Sequence, residues 1–407
     1  MRALVIGTGA AGNKAVINLL ESGIILEEDT LLINSTLKDI PEKYRNNSVQ
    51  LSQEYEGCGK ERRIAKEITL DALKDGSLNI LDLIKYEHEK VIIVTSMEGG
   101  TGSGSTPILA DYCYNESEMN VEIYAFKGFE EDGRGLANSI EFFQDLQPCY
   151  GVQVIRNDAF LKEASGNIKK AQKLANDELV KRVRVSLGQV IVDSEDNVDD
   201  TDLYKVTNTA GYSTIEYLSV DDKIKSMEEF NKIISEMIDS SKSISVEKPS
   251  AQRLAIILNL QESSQENVDY SFKPIKDKLG EPYELFKHIQ YDKKMEEFIA
   301  IIASGMKMPT EELKILNEKY KQKSNSIDKS EDNFYSVARS LVGNKEDSRY
   351  NMVKNRKRAS NPNIANRSIT NNNGKSDFFS KYDKAKMKEN NKHVINKNTN
   401  NISESEY

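Results

Sequence analysis

The chain has 407 residues, 38% hydrophobic and 30% charged, enough for two ordinary domains and a large core. No run approaches the ~18 consecutive apolar residues of a membrane-crossing helix. Three histidines, and three cysteines without metal-type spacing, argue against a His-based triad, a metal site or a disulfide scaffold, and for a reducing cytoplasm.

The net charge of −9 is uneven: from Gly343 onward 14 Lys/Arg stand against 7 Asp/Glu, so a body of −16 carries a tail of +7. That pattern suggests an appended interaction segment rather than a nucleic-acid-binding core.

A first strand is predicted over 3–6, running at once into Gly7-Thr8-Gly9-Ala10-Ala11-Gly12-Asn13 and a helix over 15–22. Strands follow at 30–33, 91–95, 121–126 and 151–155, with helices at 60–73 and 105–114. β-branched strands alternating with helices predict a mostly parallel sheet covered on both faces, with ligands where strand ends meet helix N-termini. Leu174, Leu179, Val183, Leu187 and Ile191 mark one long helix over 171–192, followed by a polar loop over 193–202. A second unit over 204–306 holds a helix at 227–238 and strands at 253–260 and 298–304. Pro309-Thr310-Glu311-Glu312 opens a helix reaching Lys323, and a short amphipathic stretch is expected at 334–342. Beyond Gly343, Asn, Lys and Ser dominate, including Asn371-Asn372-Asn373. Such a composition buries too little surface to offset chain entropy and predicts disorder.

Two loops point to phosphate chemistry. The small residues of Gly7–Asn13 let backbone amides approach an anion at a helix N-terminus. They also fit the dinucleotide fingerprint G-x-G-x-x-G, yet the second strand ends Ile33-Asn34-Ser35-Thr36 without the acid such sites place there. A tight turn with no ligand is the alternative. The second loop, Glu98-Gly99-Gly100-Thr101-Gly102-Ser103-Gly104-Ser105, joins a strand to a helix. Its glycines form a nest of N–H groups suited to a di- or triphosphate, and it lacks the Gly-Lys-Ser/Thr ending of a Walker A loop. Asp199 and Asp202, three apart, can polarise a water. By composition alone, a solvated loop with Asp193, Glu195, Asp196 and Asp200 is the stronger reading. The basic clusters at 354–358 and 381–388 suit phosphate backbones or acidic surfaces, or simply keep the tail soluble.

Residues Gly99, Gly100, Thr101, Gly102 and Ser103 match the loop Gly-Gly-Thr-Gly-Ser-Gly of the tubulin/FtsZ superfamily, and the chain resembles that family in order over 1–320. The run with Gly9, Ala10, Ala11 and Asn13 resembles its first nucleotide loop, 33–36 its second, and Gly57-Cys58-Gly59-Lys60 its third, near the γ-phosphate. Phe129-Glu130-Glu131-Asp132-Gly133-Arg134 is similar to the ribose loop, giving roles to Glu131 and Arg134. Asn157 falls in a Pro-Asn-Asp-like loop in which Arg156 replaces the Pro, and Asn176 at the guanine-reading position. Asn197, Asp199 and Asp202 resemble FtsZ's catalytic Asn-x-Asp-x-x-Asp. Ala10 and Ala11 occupy glycine-favoured places, and Gln172 stands where division proteins offer a stacking Phe. These departures point to the plasmid- and phage-encoded segregation group, TubZ-like, in a bacterial host.

The resemblance implies a Rossmann-type GTP-binding domain (1–175), a central helix and catalytic loop (176–203), a smaller α+β domain (204–306), C-terminal helices (307–342) and a disordered basic tail (343–407). It implies GTP/GDP and Mg²⁺ as ligands, no protein metal site, and a head-to-tail filament in which the acids act on the next subunit's phosphate. A centromere-bound DNA adaptor is the partner expected at the tail, and no membrane. An FtsZ-like division protein, a phage-centring tubulin and an NAD-dependent oxidoreductase are the alternatives.

Overall fold

The chain runs first through β1 (Ala3–Thr8), α1 (Gly9–Glu21), β2 (Thr30–Asn34), β3 (Ser48–Gln50), α2 (Arg62–Asp75), β4 (Lys90–Ser96) and α3 (Thr101–Ser117). Then come β5 (Asn120–Lys127), α4 (Gly133–Asp145), β6 (Gly151–Arg156) and α5 (Ile168–Ser186). The second half holds α6 (Asp200–Thr207), β7 (Gly211–Ser219), α7 (Met227–Asp239), β8 (Arg253–Asn259), α8 (Glu262–Gln265), α9 (Lys273–Leu279), β9 (Glu284–Gln290) and β10 (Phe298–Met306). This is a computed structural model describing residues 1–130, 132–192, 200–246, 249–324 and 378–379. Two units divide it, Met1–Glu318 and Lys319–Tyr407. Of the second, 319–324 and 378–379 are described, all helical. The expected amphipathic stretch at 334–342 and nearly all of the tail lie outside the described residues.

All ten strands of the described residues join one sheet in the order β3-β2-β1-β4-β5-β6-β7-β10-β8-β9. The first six are parallel; β1, β2, β4, β5 and β6 are buried almost throughout, and β3 forms the half-buried edge. The sheet continues into the second half through β6 and β7, which share only Gly151↔Gly211 and Val152↔Tyr212. Beyond that seam β10 runs antiparallel to both β7 and β8.

Alternate residues of the parallel strands (Val5, Leu32, Ile92, Val94, Tyr124) pack on Ala15, Val16 and Leu19 of α1 and Ala175, Leu179 and Val183 of α5. The opposite face takes α3, itself packed between α2 and α4. A second cluster joins Val185 of α5 to Leu203 and Val206 of α6 and to Ile215, Ile257 and Ala300 of the sheet. Helix α5 thus serves both halves.

Strands β3, β7 and β9 and helices α6, α8 and α9 were not expected, α6 beginning inside the predicted polar loop, and two further departures have a local cause. Helix α5 stops at Ser186, not at 192, because Gly188 takes φ +75° and donates to the Val185 carbonyl. Helix α4 was not expected at all. Its Gly133-Arg134-Gly135 start reads as a breaker, but the Asp132 carboxylate accepts the Gly135 N–H at 2.7 Å and caps it.

Candidate nucleotide-binding site

Strand order 3-2-1-4-5-6 reverses between β1 and β4, and open parallel sheets bind ligands outside the strand ends at such a reversal. A cavity of about 340 Å³ lies there. Its wall comes from the start of α1 (Thr8, Gly9, Ala10, Ala11), the end of β2 (Asn34, Ser35, Thr36), the third loop (Glu56, Gly57, Cys58) and the start of α3 (Gly99, Gly100, Thr101, Gly102).

Two helix N-termini converge on this space. Neither α1 nor α3 has a side-chain cap, so their first N–H groups are left for a ligand. The glycines allow the approach. Gly9 has φ +70°, and a Cβ on it would lie 2.8 Å from the Gly102 nitrogen. A Cβ on Gly102 would lie 2.7 Å from Thr95 Oγ1 and 2.8 Å from the Thr8 carbonyl oxygen, whereas Gly99 faces open space. Ser35 Oγ and Thr101 Oγ1, 2.9 Å apart, tie the β2 end to α3. Burial pushes the neighbouring Cys58 thiol up, against the opposing pull of hydrogen bonds with Thr101 and Ser35.

Two side chains that carry no motif hold the loops in place. Asn138 of α4 donates to the carbonyls of Lys60 and Glu98 at 3.0 Å and of Gly99 at 3.3 Å. Buried Arg62 of α2 donates to the Ser103 carbonyl in the first turn of α3. Glu98 accepts the Glu130 N–H at 3.0 Å, and burial raises its carboxyl.

Residues 2–165 match the model of the Tubulin/FtsZ family, GTPase domain. That segment is similar to a tubulin/FtsZ-family GTPase domain. The tubulin-like protein CetZ of Thermococcus kodakarensis is 27% identical over 238 residues, 56% of this chain and 62% of that protein. Cell division protein FtsZ 1 of Methanocaldococcus jannaschii is 24% identical over 216 residues, 52% and 58% of the two chains. The chain therefore spans about 60% of the length of curated relatives it matches. Among solved structures, TubZ of Clostridium botulinum phage c-st aligns at TM-score 0.61 and 18% identity, covering 80% of this chain and 100% of that one. The GTPγS-bound CetZ2 protofilament of Haloferax volcanii aligns at 0.64 and 16%, covering 81% and 100%. The fold is the tubulin/FtsZ fold.

Several residues expected at the nucleotide lie off this cavity wall or outside the described residues. Asn13 is buried, off the cavity wall, and donates to the Ile33 carbonyl at 3.1 Å, pinning α1 to β2. Arg134 pairs with Glu61 rather than standing free. Asn157 sits in a 3-10 turn after β6, with its Oδ1 buried and without a partner. Asn176 is half-buried on α5, and its neighbour Asp177 accepts from Asn18 of α1 at 3.5 Å. Gly57 and Gly59 flank Cys58 at φ +155° and +54°. Glu131, Asn197 and Asp199 lie outside the described residues. Asp202 is on α6, ion-paired with Lys205 at 3.4 Å. No helix among the described residues is long and apolar enough to cross a membrane.

Proposed function

We propose that the protein binds GTP in the β1/β4 cavity, assembles head to tail, and hydrolyses the nucleotide at the junction between subunits. The observation that carries this reading is the convergence of two uncapped, glycine-lined helix N-termini on one cavity. The family match over 2–165 supports it, and the CetZ2 and Bacillus thuringiensis TubZ neighbours are described as protofilaments.

In this mechanism Gly99–Ser103 and Gly9–Ala11 hold the phosphates through backbone N–H groups, and Asn157 and Asn176 belong to the nucleoside end. A Mg²⁺ ion would be held chiefly by the oxygens of the phosphates themselves. The described residues contain no group of three or more metal-type side chains, and Asp39 and Glu56 are the carboxylates on the wall. Bound there, the ion would neutralise phosphate charge. Asn197, Asp199 and Asp202 follow the end of α5, whereas Asn176 lies within it. From Asn176 to Ser186 the helix rises ~15 Å at ~1.5 Å per residue. The acids therefore act on the next subunit's phosphate, where a carboxylate takes the proton of the attacking water.

The filament's cargo is plasmid or phage DNA, held through a DNA-bound adaptor by the tail from Gly343. The excess of 14 Lys/Arg over 7 Asp/Glu supports this, as does the structural likeness to phage TubZ. The match to a cell division protein favours a division filament as the second reading. Light scattering with GTP, GDP or NAD tests the core of the proposal. GTP alone should give scattering that decays as it is consumed. Co-sedimentation of DNA–adaptor complex with full-length but not tail-truncated filaments separates the two readings.

A further inference from the structure

Beyond Ser186 the chain leaves α5 through the turn at Gly188 and runs on through Val190, Ile191 and Val192, none of them in a helix or strand. The far half of the sheet holds this connector. Gln290, the last residue of β9, donates from Nε2 to the Val190 carbonyl at 2.9 Å and accepts the Val192 N–H on Oε1 at 2.8 Å. A parallel strand pairs with just such a carbonyl and N–H two residues apart, so one side chain stands in for a rung of the ladder. A backbone carbonyl only accepts and a backbone N–H only donates, which fixes the orientation of the amide. It also fixes the tautomer of His288, which precedes Gln290 by two on the same face of β9. His288 Nε2 stands 2.6 Å from Gln290 Oε1 and carries the proton. The Gln290 carbonyl takes the Leu260 N–H at 3.0 Å and Gln265 Nε2 at 3.2 Å, so the base of the clamp is anchored too.

Gln290 and His288 are both buried. Burying two polar side chains costs free energy that their hydrogen bonds only offset, and apolar residues of like shape would hold a plain connector as well. Their use here points to placement. What the connector places is α6: Val190 is fully buried in one cluster with Leu203 and Val206 of α6 and Ala300 of β10, and Leu203 directly follows Asp202. We propose that Gln290 is a positioning residue for hydrolysis, which by gripping 190 and 192 sets Val190 against α6 and so fixes where Asp202 stands at the subunit junction. This rests on the reading above, in which Asp202 acts on the next subunit's nucleotide. Asn259 of β8 is the comparator. It is buried, and its amide makes a similar two-way clamp, accepting the Asp292 N–H at 2.7 Å and donating to the Glu296 and Asp292 carbonyls at 2.8 and 3.4 Å. It grips the connection between β9 and β10 rather than the one after α5.

The test compares Gln290→Met, Gln290→Glu and Asn259→Leu in the full chain. Each is measured by GTPγS titration below the assembly threshold and by phosphate release per sedimented subunit at saturating GTP. Gln290→Met keeps the stem and removes both bonds. Its phosphate release per assembled subunit should fall about tenfold or more, while GTPγS affinity stays within about twofold of wild type. Gln290→Glu keeps the acceptor for Val192 and loses the donor to Val190, so its fall should be smaller, and it carries the test if Gln290→Met does not fold. Asn259→Leu should hydrolyse within about twofold of wild type per assembled subunit. Unchanged hydrolysis in the Gln290 variants would overturn the inference. So would an equal fall in Asn259→Leu, the mark of general loosening, or a matching loss of GTPγS affinity. A wild type that releases no phosphate on assembly overturns the reading above, and this inference with it. A wild type that does, equalled by Gln290→Met, overturns the inference alone.

Discussion

Arg62 of α2 donates from Nη2 to the Ser103 carbonyl oxygen at 2.9 Å, with a side chain only 2% exposed. The same guanidinium pairs with Asp145 at 2.6 Å and Glu141 at 3.1 Å, both on α4. One buried cation therefore gathers α2, α4 and the first turn of α3. Arg62→Met should cost about 2–4 kcal/mol of stability in urea unfolding, because the buried Ser103 carbonyl loses its side-chain donor and Asp145 keeps only Lys66. Nucleotide affinity should fall with it. A variant as stable as wild type would mean that packing alone holds these helices together.

Gly99 and Gly102 belong to one loop but answer to different neighbours. A side chain at Gly99 enters open space on the cavity wall, so Gly99→Val should stay folded, within about 0.5 kcal/mol of wild type. It should still lose nucleotide binding. Gly102→Ala drives its methyl group against Thr95 Oγ1 and the Thr8 carbonyl, so its first effect should be on stability. Thermal melts alongside nucleotide titration resolve the two. The reverse pattern, a destabilised Gly99 variant and an intact Gly102 variant, would contradict the assigned geometry.

Asp202→Asn should leave nucleotide binding by the isolated subunit intact and slow hydrolysis about a hundredfold. Filaments of the variant should persist rather than turn over. Phosphate release measured across the assembly threshold also tests the junction: full wild-type activity from unassembled subunits would exclude catalysis on a neighbour.

Glu216 of β7 is buried beside Arg182, with the hydroxyls of Ser241 and Ser243 at 2.6 and 3.3 Å. Burial outweighs these partners and raises its carboxyl from the ordinary 4.5 to about 7. Between those values the folded chain keeps a proton that the unfolded chain has released. The contribution of Glu216 to stability therefore falls as pH rises across that window and levels off above it. Glu216→Gln should flatten this part of the curve in urea unfolding without nucleotide. An unchanged slope would place the protonation elsewhere.

The parallel strands were legible because Leu4–Ile6, Leu31–Ile33 and Val91–Val94 are continuous buried runs between glycine-rich turns. The two glycine loops on the cavity wall were legible as strand–helix junctions, since glycine clusters there allow close backbone approach. The overlong α5 came from Leu187 and Ile191, which continue the helical spacing past its last residue, Ser186. Asn13 was read as part of a loop, but its inward side is set by the Ile33 carbonyl of a different strand. Arg62 and Asn138 showed nothing in sequence. Their partners lie 39 to 83 residues away, and only the packing of α2, α3 and α4 brings them together.

The narrow seam between β6 and β7 has a mechanical consequence. Two residue pairs join the halves of the sheet there, whereas β4 and β5 share seven. A pull on one half meets little resistance along the sheet itself. The stiff route runs instead down α5, whose Leu179 and Val183 are anchored in one core and Val185 in the other. Under the proposed GTP reading, strain raised at the cavity would travel along a rod to the end of α5 at Ser186.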